Sequence, residues 1–285
     1  MPWGNHDIFT ATVDDQLYIA GGLGPRGYPT EYSPFDEILT YRPGKNTWEI
    51  VAELDQPILY SGVASLDEEI WIVGGYFESE DGETPPTDKV DIFDPQTGNV
   101  RSGPLLDRPR GEPVVVHSEE RIYAVGGYSE GDVDNSMSSI GAGEKTWRQE
   151  PDAPRPFKQA TGCFLDDEIY VFPGHKQAYK YDITDQEWEM VAPPPAIGKI
   201  PKAALCGVHK GEIWLMGGGQ TEMPEAAWIY SPETEEWRRG PDLPTPRNWG
   251  AAVDINGRLI IIGGAYKPGD EAPYIYSDRA FMLRD

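Results

Sequence analysis

Residues 258–264, Arg258-Leu259-Ile260-Ile261-Ile262-Gly263-Gly264, read as a buried β-strand running into a glycine pair. The run is β-branched and apolar without alternation, as expected of a strand covered on both faces. The two glycines permit positive φ or a close backbone approach. Asn256-Gly257 just before them is a strong two-residue hairpin signal. The small residues Gly250-Ala251-Ala252-Val253 suit an earlier strand in a crowded position. The same pattern recurs along the chain: strand-like runs ending in a glycine pair or its remnant occupy 17–22, 70–75, 122–127, 169–174, 213–218 and 259–264.

A second mark follows each run, an aromatic or aliphatic residue and, seven positions later, a Trp or an apolar substitute. The pairs are Tyr41/Trp48, Phe93/Val100, Ile140/Trp147, Tyr181/Trp188, Tyr230/Trp237 and Tyr276/Leu283. From the second residue of a pair to the next glycine mark is 27 positions in four of five intervals, and the fifth is stretched beside Pro193-Pro194-Pro195. A register held over six periods is the signature of a repeat protein. Each period supplies four antiparallel strands that cannot bury both faces alone, so six sheets pack on one another. The expectation is an all-β, six-bladed β-propeller forming one domain over residues 1–285, with the Trp residues packed between blades and Ala280–Leu283 as the outer strand of the last blade.

With 24 Lys and Arg against 48 Asp and Glu, the formal charge is −24 and the pI about 4.4. This balance disfavours nucleic acid and anionic membranes as partners, because binding phosphate needs a basic surface. No apolar run approaches the roughly 18 residues of a membrane helix. Residues 1–6 lack the basic and apolar regions of a signal peptide, so the chain as written reads as cytoplasmic. The two cysteines, Cys163 and Cys206, fall in apolar strand segments and read as buried reduced thiols.

The glycine pairs, the aromatics before turns (Phe93-Asp94-Pro95, Tyr181-Asp182), the spaced Trp and the Pro-Arg pairs Pro109-Arg110 and Pro246-Arg247 resemble the Kelch repeat family. The likeness covers nearly the whole chain. It departs at Pro173-Gly174, where the glycine pair is reduced, and at Val100, where the Trp is replaced. The resemblance implies a propeller of four-stranded Kelch blades. In compactness the chain also resembles the bacterial N-acetylneuraminate epimerases, which implies an Arg holding a carboxylate beside an acid/base group. The Glu-xxx-Asp-xxx-His spacing of iron-containing Kelch proteins does not occur, so neither a metal nor another cofactor is expected.

Propeller loops divide between two faces. The inner hairpin turns are acidic: Asp14-Asp15, Asp67-Glu68-Glu69, Glu119-Glu120, Asp166-Asp167-Glu168. The opposite loops differ. Fifteen positions before the second glycine mark stand Asp7, Tyr60, Glu112, Gln159, Ala203 and Trp249; just before them lie His6, Lys158 and Lys202, and one step earlier Arg110 and Arg247. Arg108, Arg155 and Lys199 are close in sequence. The loops after the glycine marks add Tyr76, Tyr128, His175, Gln220 and Tyr266.

Cations gathered at one mouth of an acidic chain point to a ligand that is anionic or polyhydroxylated, or to an acidic protein segment. Arg110, Arg247 and Lys202 would act as donors, and Tyr60, Trp249 and Tyr128 as stacking surfaces, beside His175 and Asp7. The leading expectation is a monomeric binding scaffold. The alternative is a small enzyme of the sugar-acid epimerase or mutarotase type, with Glu112, His6 or Lys158 as acid/base groups. No nucleophile elbow, phosphate loop or zinc spacing appears.

Overall fold

A computed structural model describes residues 1–25, 32–42, 45, 47–79, 83–194, 197–198, 200–219, 224–267 and 273–283. It is all-β, and six antiparallel sheets arranged as blades give a six-bladed β-propeller. Residues 1–285, expected as one domain, cluster into two compact units. One contains 7–23 and 32–158, the other 1–6, 24–31 and 159–285.

The first unit carries three blades. Blade 1 uses β1 (Thr10–Val13), β2 (Gln16–Ala20), β4 (Tyr32–Arg42) and β5 (Thr47–Ile58), with β3 (Leu23–Pro25) preceding β4 in the chain. Blade 2 is β6 (Gly62–Leu66), β7 (Glu69–Val73), β8 (Val90–Asp94) and β9 (Asn99–Ser102). Blade 3 is β10 (Val114–His117), β11 (Arg121–Ser129), β12 (Asp132–Gly141) and β13 (Arg148–Glu150). Between blades 1 and 2 a core forms from Ala11, Val13, Tyr18, Ile38, Val63, Ile70, Ile72 and Phe93. Between blades 2 and 3 it forms from Ala64, Trp71, Val90, Ile92, Val115, Ile122 and Trp147.

The second unit carries the other three. Blade 4 is β14 (Thr161–Leu165), β15 (Glu168–Phe172), β16 (Ala178–Asp182) and β17 (Glu187–Val191). Blade 5 is β18 (Leu205–His209), β19 (Glu212–Met216), β20 (Ala227–Ser231) and β21 (Glu236–Arg239). Blade 6 has β22 (Asn248–Ile255), β23 (Arg258–Tyr266), β24 (Ile275–Tyr276) and β25 (Ala280–Met282). Here the chain departs from expectation: β24 and β25 both pair with β23, so Ala280–Leu283 continues the third strand and is not an outer one. Leu283 donates to the Leu259 carbonyl at 3.0 Å, so Leu283, and not Tyr276, takes the place that Tyr230 takes opposite Ile213 in blade 5.

In blades 1, 4 and 5 the repeated pairs act as their spacing suggested. Tyr41 faces Trp48, Tyr181 faces Trp188 and Tyr230 faces Trp237 across the two outer strands, with ring centroids 5.0–5.1 Å apart. Trp147 Nε1 donates to the Pro104 carbonyl at 3.0 Å, and Trp237 Nε1 to the Ala192 carbonyl at 2.8 Å, tying each blade to the one before it. The glycine pairs serve the same junctions. Gly74 and Gly75 have φ of 61° and 104°; a Cβ on Gly74 would lie 2.6 Å from the Arg110 carbonyl oxygen, which accepts the Gly75 N–H at 2.7 Å. The hairpins Asp14-Asp15, Asp67-Glu68, Asp166-Asp167 and Asn256-Gly257 hold both turn residues at positive φ, the geometry that matches strand twist.

Cys163 and Cys206 form a disulfide between β14 and β18, with 6.1 Å between their Cα atoms. This corrects the expectation of reduced thiols. The pair is 43 residues apart, about one blade, which sets both on the innermost strands of neighbouring sheets at bridging distance. No helix of the described residues is long and apolar enough to cross a membrane.

Candidate functional site

The six positions aligned by sequence before the inner strands share one backbone state. Asp7, Tyr60, Glu112, Gln159, Ala203 and Trp249 all lie in the left-handed region, with φ between 49° and 59°. A non-glycine residue there costs about 1–2 kcal/mol, so the surrounding packing must impose it. In the second unit the imposing contacts are visible: Ala203 N–H donates to the Gln159 carbonyl at 3.0 Å, and Trp249 N–H to the Ala203 carbonyl at 3.1 Å. Consecutive blades are thus linked residue to residue where their inner strands begin.

Arg110 and Arg247 do not face this rim. Arg110 is wholly buried, and its Nη1 donates to the Gly126 carbonyl (3.2 Å), the Ser136 carbonyl (3.0 Å) and Asp134 (3.1 Å). Its Nη2 donates to Ser136 Oγ at 2.8 Å, Ser138 Oγ at 3.0 Å and Asp107 at 3.4 Å. Arg247 donates to the Gly263 carbonyl (2.8 Å) and Thr245 Oγ1 (2.6 Å), and lies 4.6 Å from the centre of the Phe281 ring. Burial pushes the Arg110 guanidinium below its ordinary value and the Arg247 guanidinium down to about 10. The two guanidiniums expected to hold a ligand are spent on the blades that carry them, each held by acceptors of the following sheet such as the Gly126 and Gly263 carbonyls.

What the first unit does bring together is aromatic and partly exposed. Tyr60 meets Tyr76 edge-on with centroids 6.1 Å apart, and Tyr76 covers Gly111 so closely that any side chain there would overlap the ring. The Tyr76 phenol is raised above its usual range, first by burial and then by the nearby Glu112 carboxylate. Lys158, exposed, sets its ammonium 5.0 Å from the centre of the Tyr128 ring. Blades 2 and 3 therefore contribute Tyr60, Tyr76, Glu112, Tyr128 and Lys158 to one rim.

The second unit has its own cluster. His6 packs against Tyr276 (4.5 Å) and Trp249 (5.9 Å), Trp249 against Tyr274 (6.4 Å), and Lys267 Nζ lies 4.6 Å from the centre of the Tyr274 ring. Tyr274 and Lys267 were not singled out from the sequence; their wide spacing after the glycine pair gave no periodic cue. Lys202 is exposed, its stem over Gly174, and His175 is exposed with its carbonyl accepting the Ile200 N–H at 2.7 Å. Asp7 and His6 are buried, and His6 belongs to the unit that lacks Glu112 and Lys158. Lys199 and Gln220 lie outside the described residues.

His117 and His209 sit at inner hairpins, at the ends of β10 and β18. His117 reaches Ser65 at 3.2 Å, and His209 pairs with Asp254. Among the described residues no group of three or more His, Cys, Asp or Glu is placed to hold a metal ion.

Comparison with known proteins agrees with this architecture. The model of the KLHDC2/KLHL20/DRC7 Kelch-repeats domain matches residues 60–264. Kelch-like protein terF of Aspergillus terreus is 25% identical over 283 residues, covering 91% of this chain and 61% of that protein. Human Kelch-like protein 23 is 28% identical over 267 residues, covering 89% of this chain and 44% of that protein. The chain thus spans about half the length of these relatives. The solved structure of YjhT superposes with a TM-score of 0.81 at 14% identity, covering 100% of this chain, and shows a shared fold. On the match over residues 60–264 and the six blades that contain it, the chain belongs to the Kelch-repeat family.

Proposed function

We infer that this chain is a non-catalytic binding scaffold whose rim loops hold an acidic protein segment. Kelch-repeat proteins generally act as protein-interaction scaffolds, which supports the class. The observation that carries the finer reading is the exposed Lys158 ammonium over Tyr128, beside Tyr60 and Tyr76. An ammonium already set against a ring keeps its donors available to a carboxylate, while the rings offer rigid apolar area at low entropic cost. Lys267 over Tyr274, which packs against Trp249, and the exposed Lys202 and His175 give the second unit the same character. With a net charge of −24, the rest of the surface repels acidic chains and so confines them to these loops.

The test is a thermal-shift and calorimetric comparison of acidic peptides with sugar acids and dicarboxylates. Acidic peptide should bind, and Lys158→Glu and Tyr128→Ala should each weaken it about tenfold at unchanged melting temperature. Turnover of a sugar acid that Glu112→Gln abolishes would replace this reading with the enzymatic one.

A further inference from the structure

The inner strands of blades 2 and 3, both in the first unit, approach each other where Gly62 has no Cβ, since one there would overlap Val115 Cγ2. Three positions further along β6, Ser65 Oγ lies 3.2 Å from Nε2 of His117, the last residue of β10. The two hold the same register position in their blades, Ser65 opposite Ile70 and His117 opposite Ile122. Both are half-buried, where the strands run into their inner hairpins.

The bonding of the His117 ring decides its tautomer. Nδ1 lies 3.2 Å from the Ser118 carbonyl oxygen, which can only accept, so Nδ1 carries the proton. In the neutral ring Nε2 is then a bare lone pair, and Ser65 donates its hydroxyl hydrogen to it. The carbonyl behind the ring is itself fixed. Ser118 N–H donates to the Arg121 carbonyl at 2.9 Å, and Ser118 Oγ accepts from the N–H groups of Glu120 (3.3 Å) and Arg121 (3.1 Å). Burial pushes the imidazole below its ordinary value, which keeps it neutral and able to take a proton at pH 7.

A hydroxyl, a base in contact with it and a third group that orients the base are the parts of an activated nucleophile. A bond that only pinned two strands together would be indifferent to which partner donates. Here the Ser118 carbonyl imposes the direction that makes Ser65 the proton donor. Charge selects what approaches: Asp67 and Glu68, and Glu119 and Glu120, follow the pair directly and are exposed, so a cationic reagent is drawn in and an anionic one repelled.

We propose that Ser65 is an acyl-acceptor site, a nucleophile activated by His117 that takes the acyl group of a carboxylic ester bearing a positive charge. Ser65 Oγ bonds to the ester carbonyl carbon while its proton passes to His117 Nε2. The ester C–O bond then breaks, and the proton moves from His117 to the leaving oxygen. The products are an O-acylated Ser65, the free alcohol and a neutral His117, with no change of oxidation state. Each chain takes one acyl group, so the site adds a covalent modification to the scaffold and does not depend on the rim loops.

The experiment treats the whole chain with two 4-nitrophenyl esters, one of a trimethylammonio-substituted acid and one of a dicarboxylic acid. Nitrophenolate release gives the rate, and mass spectrometry of the digested protein locates the acyl group. One equivalent should appear on Ser65, about tenfold faster from the cationic ester. Ser65→Ala should abolish it, and His117→Gln, whose amide cannot take up the proton, should slow it about 100-fold. Ser65→Cys tests the base with His117 intact: iodoacetamide should alkylate it faster than free N-acetylcysteine at neutral pH. Acyl groups on lysines alone, Ser65 acylation that His117→Gln leaves unchanged, or alkylation of Ser65→Cys no faster than the free thiol would each overturn the proposal. So would equal rates with the two esters.

Discussion

Arg110 Nη1 lies 3.1 Å from Asp134 Oδ2 with the guanidinium wholly buried, an ion pair inside a single blade. Four further acceptors on 126–138 and Asp107 surround its two terminal nitrogens, so the side chain ties the segment before β10 to β11 and β12.

Removing it leaves Asp134 and Asp107 facing a cavity. Arg110→Ala should therefore destabilise the fold by about 3–5 kcal/mol. Arg110→Lys should recover little, because an ammonium cannot reproduce the planar fork. Arg247→Ala should cost less, since its bonds among the described residues go to the Gly263 carbonyl and Thr245 Oγ1, with no carboxylate among them. Denaturant unfolding of the three variants reads the order; equal losses at Arg110 and Arg247 would refute it.

The Cys163–Cys206 bridge closes a loop of 43 residues. In the chain-entropy account such a loop corresponds to about 4 kcal/mol of destabilisation on opening. Reductant, or Cys163→Ala, should lower the melting temperature, and alkylation of the unfolded, unreduced protein should find no thiol. Full alkylation of protein taken from its native source would instead restore the reading of reduced thiols in a reducing compartment.

Glu144 accepts from Arg121 at 2.9 and 2.8 Å and from the Gly141 N–H at 2.8 Å, which pulls its carboxyl down to about 2. A depressed carboxyl contributes stability above its unfolded value of 4.5 and loses it as pH falls toward 2. The side chain is 41% exposed, so solvent and salt screen the pair and the effect is modest. The stability difference between wild type and Glu144→Gln should be constant at neutral pH and vanish between about pH 4.5 and 2. A difference that persists at pH 2 would assign it to packing.

A Cβ on Gly62 would overlap Val115 Cγ2 on the inner strand of the next blade. Gly62→Ala should destabilise by about 1–3 kcal/mol through overpacking. Adding Val115→Ala should return part of that loss, a coupling that a double-mutant cycle measures. Strictly additive effects would mean that the two inner strands do not touch.

Much of the rim was legible in register but not in side-chain direction. The count back from each glycine mark picked out six residues that share a left-handed backbone, although none is glycine and the identities Asp, Tyr, Glu, Gln, Ala and Trp hold no common propensity. Spacing reported the position; the conformation came from bonds to the neighbouring blade, such as Trp249 to Ala203. Arg110 and Arg247 show the converse. Their place beside the rim followed from sequence, and their inward course follows from acceptors such as Ser136 and Gly263 that lie far along the chain. Cys163 and Cys206 were each legible as apolar strand residues, and their pairing needed the one-blade separation to be translated into adjacency.

By itself the sequence determined six glycine-marked repeats, their strands, their hairpins and the Tyr–Trp packing, because these rest on local propensity and on a period that survives divergence. Only the tertiary structure decided which cations turn inward, that two cysteines meet, and that 280–283 continues the third strand of blade 6. Each of those depends on partners brought from distant segments: β23 pairs with both β24 and β25 because backbone groups must be matched across the sheet, wherever the sequence pattern places its marks.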